Sequence, residues 1–479
     1  MRELPALLVL ALSACSLAPR YQRPELPVDP AFPSGAAARP DRAAATPPGG
    51  ASAGDLGWRD VFPDQRLQAL LALALERNRD LRLAALGVEL ARAQYGIQRA
   101  QRLPQVSGSA GVTRQRTPAD LNSSGRPVTG DVWSVGAGLA PFELDFFGRV
   151  RNLSDAALEQ YLATEEARRG AQLSLVAAVA RQDLTGRALE AQAQLARETL
   201  AALEASLQLT RRLVQAGRVS ELDLRTAEAQ VETARFNLAA TGQQQARSAN
   251  ALRLLLGGPA PADLPPPRPL DGEPVMGDLP AGIPSEVLVR RPDVRDAEHA
   301  LRAANASIGA ARAAFFPSIT LTAFAGTSSA ELGGLFGAGS AAWSFTPRLN
   351  LPIFAGGALR AGLDVAEVRK SAAVVGYERA VEGAFREVAD ALVSRTSIEG
   401  QLAAQVARVA AEERRLQLSE LRYRSGVDSY LTLLTAQRDL FAARQQLIQS
   451  RLDRLTNLID LYQALGGGWT ERAAAGAGG

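Results

Sequence analysis

One cysteine, one histidine and two methionines in 479 residues leave several chemistries without reagents. A zinc or copper centre needs several Cys, His or Met ligands, so no metal site is expected. A single cysteine cannot close a disulfide within the chain. The lone histidine, His299, lies in an Ala-rich helical stretch with no nucleophile motif around it, and reads as an ordinary helix residue rather than a general base. There is no Gly-rich phosphate loop at a strand–helix junction, and one histidine cannot supply a Ser/His/Asp set. No enzyme, no catalytic residue and no bound cofactor are therefore expected. A net charge of +3 with mixed signs gives no basic patch that calls for nucleic acid. Past the first dozen residues there is no run of about 18 apolar residues, so no transmembrane helix is expected. If this chain crosses a bilayer, it does so as part of a closed β-barrel.

Proline is the next informative absence. None occurs from Phe142 to Gly258 and none after Pro352, and proline inside a helix costs roughly 3 kcal/mol. These stretches are rich in Ala, Leu, Arg, Glu and Gln and poor in aromatics, a composition that favours long, closely packed helices. The strong stop signals inside them are Gly217 and Gly426. A helix over residues 149–216 is roughly 100 Å long at about 1.5 Å per residue, and such helices stand only by coiling on neighbours.

What the chain does contain, it contains twice. Residues 208–230, around Gly217, repeat at 417–439, around Gly426, with a shift of 209. The stretch from Asn78 repeats from Arg291 with a shift of 213, placing Asp80 on Asp293 and Pro104 on Pro317. Each half has the same plan. A helix is predicted over 67–102 and 285–314, then two strands per half, over 105–115 and 132–142, and over 318–326 and 342–354. In the last strand Trp343, Phe345, Leu349 and Leu351 alternate with Ser344, Thr346, Arg348 and Asn350. Turn-rich loops at 117–130 and 328–340 join the strand pairs, and Trp133 and Trp343 are candidates for an interfacial belt.

The domain plan follows: a signal segment over 1–14, an extended leader over 15–57, a first repeat over 58–258, a Pro-rich linker over 259–284, a second repeat over 285–465 and a tail over 466–479. The start is an apolar stretch ending Leu12-Ser13-Ala14-Cys15, which resembles a lipobox, with Cys15 as the lipidated new N-terminus. Ser16 follows it; the lipobox rule reserves Asp there for inner-membrane retention, so the lipoprotein is expected in the outer membrane. About ten tilted residues cross a bilayer as a strand. Four strands cannot seal their own edges, since small barrels need about eight. The chain must therefore oligomerise, and three copies give twelve strands.

The lipobox followed by Tyr21-Gln22-Arg23-Pro24, the duplicated strand–strand–long-helix order and the Arg422–Leu440 stretch RYRSGVDSYLTLLTAQRDL together resemble the outer-membrane factor family. Within it the match is to the OprM-type lipoprotein branch, TolC-like channels that serve resistance-nodulation-division efflux pumps. The resemblance implies a mainly α fold with a membrane β-barrel part: a homotrimer with a shared twelve-stranded barrel above a periplasmic α-barrel. It implies passive export of drugs or other small toxic compounds, with a periplasmic adaptor and an inner-membrane transporter as partners, and outer-membrane lipid around the barrel. It also implies adaptor docking at Ala216, Gly217, Val219 and Ser220 and at Ser425, Gly426, Val427, Asp428 and Ser429. A helix reversal there is expected to leave backbone carbonyls free. A periplasmic gate is implied at Arg422, Tyr423, Thr435 and Arg438. Many relatives carry Asp where this chain has Thr435, and a hydroxyl cannot select cations or pair with Arg as a carboxylate does. Two other readings stay open: the duct of a type I polypeptide secretion system, and a lipid-anchored coiled-coil scaffold without a pore.

Overall fold

The computed structural model describes residues 16–29, 32, 56–277, 279, 288–467 and 471; Cys15, the signal segment, most of the leader and most of the tail lie outside the described residues. The first half carries α1 (Trp58–Val61), α2 (Gln65–Arg77), α3 (Arg79–Ala100), β1 (Val106–Thr117), β2 (Val128–Leu144), α4 (Arg149–Gln215) and α5 (Glu221–Leu255). The second carries α6 (Pro292–Ala313), β3 (Ser318–Ser329), β4 (Ala341–Asn350), α7 (Ala358–Arg424) and α8 (Tyr430–Ala464). The duplication extends to element lengths: α4 and α7 each have 67 residues, α5 and α8 each 35, α3 and α6 each 22.

Several boundaries differ from those predicted, three of them for a clear local reason. The helix expected over 67–102 is broken at Asn78, whose ψ of 133° is extended. Its side chain accepts the Leu81 N–H at 2.9 Å and so caps α3, and its amide donates to the Leu255 carbonyl. The helix expected over 285–314 is interrupted at 289–291, after a helical Leu288, and α6 begins at Pro292, where the missing N–H of proline costs nothing; the expected start at 285 lies outside the described residues. The fourth strand stops at Asn350 rather than 354, just before Pro352, which has no N–H for a ladder. The other strands are longer than expected. In β2 the ladder slips between Leu139 and Phe142, and Pro141 sits in that irregularity, where a strand tolerates it.

The chain forms two compact units, and each takes segments from both halves. One comprises 87–165 and 296–378 with the leader up to residue 25. Its sheet is antiparallel in the order β1-β2-β3-β4, so β1 and β4 are its edges. In the same unit the leader is strapped along α6. Glu298 accepts from the Tyr21 hydroxyl at 3.0 Å, from Arg23 Nε and Nη2 at 2.8 to 3.1 Å and from Arg302 at 2.7 Å. Asn305 donates to the Pro19 carbonyl, and the Ser16 hydroxyl donates to Asn152 in the first turn of α4. His299 lies beside Glu159, 2.6 Å away.

The other unit comprises 26–86, 166–295 and the chain from 379 onward. Its core packs Phe62, Leu67, Leu70 and Leu71 against Val176, Val179 and Leu184 of α4 and Ile459 and Tyr462 of α8. Arg187 is buried beside this core between two carboxylates, 2.6 Å from Asp64 and 2.5 Å from Asp183. Asp64 also caps α2 by accepting the Leu67 N–H. Burial pushes the Asp183 carboxyl up. At Asp64 burial acts in the same direction, but Arg187 and the Leu67 and Arg268 N–H groups outweigh it and hold the carboxyl low.

Candidate functional site: sheet faces and hairpin tips

Strand residues alternate between two faces, and the register assigns every side chain to one of them. Val112 lies opposite Trp133, Leu139 opposite Ala323, and Ala323 opposite Phe345, which builds an apolar face. That face is bare in the single chain: Trp343 is 80% exposed, with Phe345 and Leu349 also exposed. The other face carries Ser107, Ser109, Thr113, Ser134, Thr322, Ser344, Thr346 and Arg348. Below the strand roots Phe147 stacks on Phe316 at 4.7 Å, and Ile353 and Phe354 stand free. Trp133 and Trp343 share the apolar face but not a level: they pair with Ser329 and Ala325, four residues apart on β3. The sequence places them at equivalent positions of the two repeats, and the register departs from that by four residues.

The two long hairpins reverse by one geometry. After α4, Gly217 has φ 68°, and after α7, Gly426 has φ 76°, a left-handed conformation that favours glycine. The Gly217 N–H donates to the Val214 carbonyl and the Arg218 N–H to that of Leu213. In the second turn Gly426 donates to Tyr423 and Val427 to Arg422. The carbonyls of Leu213, Val214, Arg422 and Tyr423 are thus consumed inside the turns and are not among those a partner could use. Ser220 and Ser429 then cap α5 and α8. Ala216, Gly217, Ser220, Ser425, Gly426, Val427 and Ser429 are exposed, whereas Val219 and Asp428 are half-buried. Two apolar residues that sequence reasoning left out stand beside them. Leu222 and Leu431, 209 residues apart, are 75% and 66% exposed; their coincidence in the repeat was the available signal.

The four gate candidates do not form one cluster. Arg422 makes a bidentate pair with Asp428 at 2.7 and 2.9 Å and is spent inside its own turn. That pairing holds the Asp428 carboxyl below its ordinary value. Tyr423 is buried, its ring 5.8 Å from that of Tyr430. Both pack on Leu203, Leu207, Ala227 and Val231 of the first hairpin, and burial pushes both phenols up. Thr435 and Arg438 are exposed on α8, and the Thr435 hydroxyl donates to the Leu431 carbonyl of its own helix. A groove of about 620 Å³ opens along the first hairpin, lined by Glu204, Gln208, Arg211, Glu228 and Arg235.

A two-faced, open-edged sheet with paired long hairpins is the architecture of an outer-membrane duct. The model of the outer membrane efflux protein family matches residues 70–258 and 283–467, and the chain belongs to that family. It is 46% identical over 467 residues to the toluene efflux pump outer membrane protein TtgC of Pseudomonas putida, covering 98% of this chain and 95% of the relative. It is 45% identical to the outer membrane protein OprJ of Pseudomonas aeruginosa, covering 97% and 95%. The open-state structure of the MtrE outer membrane channel of Neisseria gonorrhoeae superposes with a TM-score of 0.87, at 41% identity, over 96% of this chain and 100% of that one. This chain is accordingly the outer-membrane channel component of a multi-part efflux pump, with the family's trimeric channel-tunnel fold.

Proposed function

We propose that three copies form a passive exit duct for small apolar or amphipathic toxic compounds, coupled at the hairpin tips to a periplasmic adaptor and through it to an inner-membrane transporter of the resistance-nodulation-division type. The sheet carries this reading: its apolar face suits lipid, its hydroxyl-lined face suits water, and its open edges need neighbours. Toluene efflux by the P. putida relative supports cargo of that kind. The tips take the adaptor through Ala216, Gly217, Val219 and Ser220 and through Ser425, Gly426, Val427, Asp428 and Ser429, with Leu222 and Leu431 as apolar knobs. Cys15 carries the lipid. The Ser16–Asn152 bond, next in sequence to it, supports an anchor held near the strand roots.

In this reading the resting gate is split. Arg438, exposed on the second hairpin, supplies the charge contact between copies, and Tyr423 acts through packing of that hairpin on the first. Thr435 replaces a ring of carboxylates with hydroxyls, so cation selectivity is weak. Planar-bilayer recording on the purified trimer is the test. Wild type should show small, rare openings and Arg438→Ala larger resting conductance. A trimer that never conducts, in either form, overturns the duct.

A further inference from the structure

Phe324 stands apart on the water-lining face. It is opposite Gly138 on one side and Ser344 on the other, so its side chain belongs with the hydroxyls, not with Trp343 and Phe345. Among the strand residues of that face it is the one aromatic. Its ring does not stand upright in the bore. A Cβ placed on Gly136 would lie 2.7 Å from the Phe324 Cζ, and one on Gly326 would lie 3.0 Å from it. Gly136 and Gly326 are themselves paired across β2 and β3. The ring therefore lies flat across a shelf made by two glycines, a known way to cover glycine in a sheet. Glycine inside a strand weakens it, but here the close approach of the two backbones requires it: a Cβ on Gly136 would lie 2.5 Å from the Ala325 carbonyl oxygen and would also meet the Phe324 ring, which covers the pair.

A ring held flat has one π-face against backbone and the other toward the bore. Ser344 lies across from it in register, and Ser134 and Ser328 flank the glycine pair. An apolar plate inside a hydroxyl rim recognises flat apolar or aromatic molecules: the face stacks and the rim leaves polar substituents hydrated. Stacking of this kind is tolerant of structure, because every flat ring offers a π-face.

We propose that Phe324 is a stacking site on the inner wall of the barrel for flat aromatic cargo, repeated three times around the bore. The site rests on the duct reading above, and its test is chosen to fail separately. The probe is naphthalene-2-sulfonate, with hexanesulfonate as a control of equal charge, added to the detergent-folded trimer. Ligand proton line broadening reads binding without needing an open gate. Wild type should broaden the naphthalene signals selectively. Phe324→Leu, which keeps the bulk and loses the π-face, should weaken the apparent affinity on the order of tenfold, the worth of one stacking contact. Phe324→Trp should retain or strengthen it. Heat-resistant trimer migration checks that each variant is folded. Equal broadening by wild type and Phe324→Leu overturns the site, as does equal broadening of both probes by the wild type. A failure of the duct shows up elsewhere, as a folded trimer that passes no current.

Discussion

Glu298 shows how much one side chain can hold. Its carboxylate gathers Tyr21, Arg23 and Arg302 and is itself buried, at 6% exposure. Its sequence partners are 277 and 275 residues away, which is why the Tyr21-Gln22-Arg23-Pro24 string was legible as a family mark but not as a strap. Hydrogen bonds to a charged group contribute about 1.5–3 kcal/mol, so losing the carboxylate should raise the undocked leader population roughly tenfold to a hundredfold. Trypsin reads this directly, because Arg20–Tyr21 is a cleavable bond while Arg23 is protected by Pro24. Glu298→Gln should be cut after Arg20 much faster than wild type, and equal rates would refute the strap. Burial pushes the Glu298 carboxyl up, but Arg23, Arg302 and Tyr21 outweigh it and its pKa is lowered from 4.5. A depressed carboxylate contributes stability that is complete above its unfolded value and lost as pH falls through the folded one. Leader protection in hydrogen exchange should therefore hold at about pH 6 and fall below about pH 4.

Among elements, the long helices were the most legible. An absence of proline and two glycines placed both long hairpins and their reversals, and set α4 to within a residue (149–216 against Arg149–Gln215), because helix stops of this kind are local backbone chemistry. The break at Asn78 was missed although Asn before a charged first turn is a capping signal; an unbroken apolar rhythm hid it. Tyr423 was legible as a motif position and not as a packing residue, since Leu203, Leu207, Ala227 and Val231, on which it packs, belong to the other repeat. Its buried hydroxyl faces that of Thr210 and makes no bond of good geometry there. Removing it should then cost little, whereas removing the ring should loosen the second hairpin from the first. We expect Tyr423→Phe to match wild type in resting conductance. Tyr423→Ala should lose about 2–4 kcal/mol of local packing and leak. Leak from Tyr423→Phe equal to that of Tyr423→Ala would instead assign the latch to the hydroxyl.

At the scale of the whole molecule the sheet is unfinished. β1 and β4 present unpaired edges, and Trp343, Phe345 and Leu349 present apolar side chains to solvent in one chain. Both defects disappear if copies close edge to edge within lipid, a conclusion the strand count alone already required. What the count could not tell was which face each residue takes around the β2 irregularity, because a one-residue slip exchanges the faces. Adjacent residues in the middle of β4 test the assignment. Phe345 lies opposite Ala323 on the apolar face, and Thr346 lies opposite Thr322 on the other. An arginine facing lipid near the midplane costs about 2–4 kcal/mol per site, whereas a lumen-facing one is tolerated and tunes selectivity. Phe345→Arg should thus give poor trimer yield and a lower dissociation temperature on heated gels. Thr346→Arg should assemble like wild type and shift the channel toward anions. If Thr346→Arg is the variant that fails to assemble, the two faces are exchanged, and the bore assigned to Phe324 becomes lipid surface.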